Sequence, residues 1–179
     1  MEKRLATANF AEVKGRTIRV YASLWNTEAR LGDFTESFAP GAFDRSLADR
    51  TGKRDVIALA QHNPDQYLAR QANGTMRLVS DARGLAVEID LPETQLGNDI
   101  KALADRGDLG GASVGFIATK ESWNGNHRTV EEAELLEVSL VTHAAYEDTG
   151  KTLSVRQLYA DAEASMRAAL YMHYLGGGR

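Results

Sequence analysis

Apolar residues recur at every second position over much of the chain, the spacing of half-buried strands, and at helical spacing in only three stretches. Ile18, Val20, Ala22 and Leu24 share one face of Thr17 to Leu24. With Phe10 to Val13 across Gly15, they predict an opening β-hairpin. Val56 to Ala60 reads as a short buried strand. Thr75 to Ser80 and Leu85 to Leu91 flank Asp81-Ala82-Arg83-Gly84, and in the second run Leu85, Val87, Ile89 and Leu91 alternate with Ala86, Glu88 and Asp90, predicting another hairpin. Ala112, Val114, Phe116 and Ala118 lie on one side of Ala112 to Glu121. The Asn-Gly turn in Trp123-Asn124-Gly125-Asn126 then returns the chain through Arg128 to Glu132. Leu136, Val138 and Leu140 alternate with Glu137, Ser139 and Val141 in a last strand, for a total of about seven.

Three helices interrupt the strands. Gly41 to Arg50 is short, with Phe43 and Leu47 four apart. Glu93 to Arg106 carries Leu96, Ile100 and Leu103 on one stripe and stops at Gly107. Ser154 begins the third, with Gln157 at capping-box spacing and an apolar stripe through Val155, Leu158, Ala162, Met166, Ala169 and Leu170, before the glycines at 176–178. Strands with segregated helices and no βαβ rhythm predict an α+β domain, mainly antiparallel, built on a small barrel or folded sheet. The expected organisation is a domain over 1–152 with its core at 16–150, followed by an amphipathic helix and glycine tail over 153–179.

The 179 residues suffice for one domain with a real core, and 43% hydrophobic against 26% charged residues fits a globular chain. Lys and Arg number 21 against 25 Asp and Glu, and this mild acidic balance gives no footprint for a nucleic-acid backbone, so no nucleic-acid partner is expected. The absence of cysteine removes disulfides, thiolate catalysis and Cys-ligated zinc. Four scattered histidines without an HExxH motif give no metal site, and no cofactor is expected. Met1-Glu2-Lys3-Arg4-Leu5 leads into no apolar signal core and no long apolar run follows, so the expectation is a cytoplasmic protein without a membrane partner.

Gly111-Ala112-Ser113-Val114-Gly115 matches the G-x-S-x-G pattern of a nucleophile elbow, but a strand rather than a helix follows Ser113. Read by itself, Ser113 is better explained as a small hydroxyl where strands pack closely, flanked by glycines for backbone approach. His62 stands at the end of an apolar run, before Asn63-Pro64-Asp65, which reads as a turn. An imidazole there can accept a serine proton or simply serve the turn. Glu137 lies on the strand face opposite Leu136, Val138 and Leu140, and if that face is covered the acid requires a partner. On a solvated face it is an ordinary charge. His127 reads as hairpin surface and His173 as a helix face, while His143, after the last strand, is ambiguous.

Six separated segments agree in order and spacing with one family: Val20-Tyr21-Ala22-Ser23-Leu24-Trp25-Asn26, Glu36-Ser37-Phe38-Ala39-Pro40-Gly41-Ala42-Phe43, Leu59-Ala60-Gln61-His62-Asn63, Asp81-Ala82-Arg83-Gly84-Leu85, Gly107 through Phe116, and Leu136-Glu137-Val138-Ser139-Leu140-Val141-Thr142. On these residues the chain resembles the prohead proteases of HK97-like tailed phages over roughly 16–150. The resemblance implies a serine endopeptidase with a fold similar to the herpesvirus assembly proteases, a β-barrel surrounded by helices. It also implies a location inside the immature capsid in the host bacterial cytoplasm. The implied partners are the major capsid protein or its scaffold domain, and the protease itself through self-cleavage and a homodimer.

Carried over by motif, His62 is the general base, Ser113 the nucleophile and Glu137 the third member. The herpesvirus enzymes use a second histidine there, which makes His143 the alternative. Thr142-His143-Ala144-Ala145 departs from the family's frequent Pro-Ala after this strand. The Gly110-Gly111 loop is the guess for the oxyanion site, because glycine permits close backbone approach. Two other readings stand beside this one. The first is a non-catalytic capsid-assembly or docking module that keeps the protease fold. The second is a small serine esterase using Ser113 with Asp148 and His173.

Overall fold

The structure, a computed structural model, describes residues 2–6, 12–48 and 55–142. These form eleven strands and two helices. The chain runs through β1 (Glu2–Ala6), β2 (Glu12–Lys14), β3 (Thr17–Leu24), β4 (Ala29–Leu31), β5 (Phe34–Phe38) and α1 (Asp44–Ala48). It continues through β6 (Ile57–Ala60), β7 (Asn63–Arg70), β8 (Met76–Ser80), β9 (Gly84–Asp90), α2 (Gln95–Arg106), β10 (Gly111–Asn124) and β11 (His127–Val141). The domain is thus mostly β, but its two sheets are not closed into the expected barrel.

The smaller sheet is antiparallel, in the order β2-β3-β9-β8, two hairpins joined through β3 and β9. Ile18 and Val20 of β3 are buried opposite Ile89 and Val87 of β9, as their alternation predicts, while Ala22, also buried, sits at a break in that register. The Asp81-Ala82-Arg83-Gly84 turn has a specific geometric demand. A Cβ on Gly84 would lie 2.1 Å from the Ser23 carbonyl oxygen, so only glycine lets β3 and β9 close there.

The larger sheet is organised by β11, which pairs along its length with β10. On its other edge β11 forks. Its first residues pair in parallel with β5, His127 opposite Thr35, and its last pair in parallel with β6, Ser139 opposite Leu59. Two expected strands, Arg128 to Glu132 and Leu136 onward, are therefore one, which joins two otherwise separate strand pairs. The additional strands escape a period-two reading because they are short or irregular. In β5, Glu36 and Ser37 are buried beside Phe38. In β7, Asn63-Pro64-Asp65 belongs to a strand rather than a turn; β7 pairs only with β6, and Pro64 sits at a break in that register, where a missing N–H is tolerated.

Between the elements, Phe38, Phe43 and Phe116 pack ring to ring, with centroids 5.0 Å apart for Phe38 and Phe116 and 5.1 Å for Phe38 and Phe43. Ala112, Val114, Val138 and Leu140 extend this core along one face of β10 and β11. Helix α2 starts at Thr94, whose hydroxyl accepts the Gly97 N–H, and stops at Gly107 in the left-handed conformation, close to the expected bounds. Helix α1 starts at Asp44, later than the expected Gly41, and its expected end at Arg50 lies outside the described residues. The expected 153–179 helix and tail also lie outside them. No described helix is long and apolar enough to cross a membrane.

Candidate active site

The face of β10 and β11 turned away from the aromatic core is polar and yet buried. Antiparallel partners share a face, and the register sets Ser113 opposite Ser139 and Gly115 opposite Glu137. Ser113 and Glu137 are each 2% exposed and Ser139 is fully buried. Glu137 is therefore not the solvated charge that its strand position alone allowed. Gly115 provides its space, since a Cβ there would lie 2.5 Å from Glu137 Cγ and 2.8 Å from Oε1.

His62 reaches the same face from β6. Leu140 and Ala60 are paired, and the chain then reverses through Gln61 and His62 to Asn63, with φ of 54° and 57° at the two turn residues. Positive φ at both central positions is the signature of the tightest hairpin turns, and there it favours Asn and Gly. Neither residue has that freedom, so the turn stores backbone strain at the imidazole. Two bonds hold it: the Gln61 N–H donates to the Leu140 carbonyl at 2.9 Å and the His62 N–H donates to Ser139 Oγ at 3.2 Å.

So placed, His62 Nδ1 lies 2.5 Å from Glu137 Oε1, and both side chains are buried. With Nδ1 committed to the acid, the ring presents Nε2 as its second nitrogen, the tautomer in which an imidazole can accept a proton. The opposing Ser139 hydroxyl, which also touches Glu137 Oε2 at 3.4 Å, links this pair to the strand position of Ser113. The expected oxyanion donors fare differently. The Gly110 N–H donates to the Val141 carbonyl at 2.8 Å and is spent within the sheet. Strand β1 lies along the outer edge of β10, with Leu5 opposite Ser113.

His143, Asp148 and His173 lie outside the described residues. His127 is not bland hairpin surface: its ring sits between Thr35 Oγ1 at 2.7 Å and Ser37 Oγ at 2.9 Å, with Glu28 Oε1 3.7 Å away. Sequence reading also missed a charge cluster built on the buried pair Arg128 and Glu36. Arg128 meets Glu2, Glu36 at 2.8 Å and Glu121, and bonding to Glu2 is the chief cause holding its guanidinium well above the ordinary range. The signal was slight: Glu36 stands in Phe34-Thr35-Glu36-Ser37-Phe38 between two polar residues, so nothing local marked it as buried.

The register and the His62–Glu137 contact thus bring an imidazole and a carboxylate to the buried sheet face that carries Ser113. The chain belongs to the caudovirus prohead serine protease family, whose pattern it matches over residues 4–163. No curated protein and no solved structure shows significant similarity to it.

Proposed function

We propose that this chain is the serine endopeptidase of phage procapsid maturation, that it cuts scaffold or capsid-protein segments and itself inside the immature shell, and that it does so with His62, Ser113 and Glu137. The observation that carries the reading is the buried His62–Glu137 pair beside the strand that bears Ser113. His62 Nε2 takes the Ser113 proton as Oγ attacks a peptide carbonyl, and the protonated ring then releases that proton to the leaving amine. Glu137 holds the ring's orientation and stabilises its charged form. Water hydrolyses the acyl-enzyme by the same relay. Because Ser113 is 2% exposed, a peptide reaches it only as neighbouring chain moves aside. The domain assigned this activity is 1–152, with 153–179 as an appended helix and tail.

The test is coexpression with the major capsid protein, read by intact mass spectrometry. Defined capsid or self fragments are expected with wild type, and none with Ser113→Ala or His62→Ala, each of which lowers the rate by at least ~10³-fold. Intact chains in every case, recovered as a stable complex, would instead establish the docking module.

A further inference from the structure

Ser139 is fully buried, so its hydroxyl requires partners, and both of those it has belong to the candidate site. It accepts the His62 backbone N–H at 3.2 Å, and it reaches Glu137 Oε2 at 3.4 Å, the carboxylate oxygen that His62 does not use. Together with the 2.5 Å contact between His62 Nδ1 and Glu137 Oε1, these bonds close a ring through the backbone and side chain of His62, the acid and Ser139. The ring stands where the turn is strained, at the two consecutive positive-φ residues Gln61 and His62. It also lies directly across the ladder from Ser113.

We infer that Ser139 is a positioning residue for the catalytic histidine. Its hydroxyl fixes both the turn that carries the imidazole and the carboxylate that orients it, in register with the nucleophile. The inference rests on the assignment of His62, Ser113 and Glu137 made above. A single oxygen suits the task, because it accepts from the N–H and donates to the carboxylate at once. Without it, the His62 N–H loses its acceptor and the carboxylate regains rotational freedom. Misplacement of a catalytic group by about 1 Å costs up to ~10²-fold in rate.

The experiment uses the full chain and two readouts that do not require a known substrate. The rate at which a fluorophosphonate probe labels Ser113 is measured by mass spectrometry. The low-field imidazole N–H proton of His62, which the bond to Glu137 produces, is followed by NMR. Ser139→Ala is expected to slow labelling on the order of 10- to 100-fold and to broaden or move the resonance, while the protein still melts cooperatively. Ser139→Thr, which keeps a hydroxyl, is expected to recover much of both. Wild-type labelling with the resonance in place in Ser139→Ala would overturn the inference. The catalytic assignment fails separately, if Ser113→Ala or His62→Ala still labels at the wild-type rate. In that event the resonance alone decides, and its persistence unchanged in Ser139→Ala overturns the positioning role.

Discussion

Glu137 occupies space that exists only because residue 115 has no side chain. In Gly115→Ala the new Cβ would meet Glu137 Cγ at 2.5 Å, and the acid must swing off His62 Nδ1 to relieve the overlap. The expected outcome is a destabilisation of about 1–3 kcal/mol in urea melts, with a loss of cleavage rate beyond what partial unfolding explains. Full activity in this variant would mean that Glu137 has no bearing on catalysis. At this scale the motifs were readable from sequence. Ser113, His62 and Glu137 stand in segments shared with a family, and the burial of Glu137 was posed as a condition on its strand face. The purpose of Gly115, the strain at His62 and the double contact of Ser139 were not readable, because each depends on which residue lies across the ladder, and strand register is invisible to a local pattern.

Strands β1, β5, β10 and β11 are tied by a charge contact as well as by their ladders, through Arg128, which meets Glu2, Glu36 and Glu121. Glu36 is 1% exposed, so removing the guanidinium leaves a carboxylate to be desolvated without its cation. Arg128→Ala is expected to cost about 3–5 kcal/mol in a denaturant titration, whereas a loss under about 1 kcal/mol would place the cluster among screened surface pairs. The hairpins at the Asn-Gly turn and at Asp81 to Gly84 could be anticipated, because their turn residues and alternation are local. The fork of β11 could not. Its two parallel partners, β5 and β6, come from far earlier in the chain, and neither carries a clean alternating pattern to announce it.

Over the whole molecule, sensitivity to acid follows from carboxylates that the fold holds below their ordinary pKa. Asp81 is lowered chiefly by the Tyr21 hydroxyl, aided by the Arg83 and Gly84 N–H groups. Glu88 and Asp90 are lowered chiefly by Arg77, Glu121 chiefly by Trp123 and then Arg128, and Glu131 chiefly by Lys120. A carboxylate depressed by folding contributes stability above its unfolded value of about 4, and that contribution is lost as pH falls through the lower folded value. The melting temperature is therefore expected to hold near neutrality and to drop progressively below about pH 4. These groups are largely solvated, so added salt should flatten the dependence. A melting temperature that rises on acidification would contradict these pairings.

By itself the sequence determined the mostly β character, the stop of α2 at Gly107 and the main hairpins, since periodicity and turn chemistry are properties of neighbouring positions. Tertiary structure decided that the sheets stay open, that β11 is one forked strand, and that an imidazole at the end of β6 meets an acid 75 residues away. Those outcomes depend on pairing between distant segments, where burial and register select one arrangement among many that the same local pattern permits.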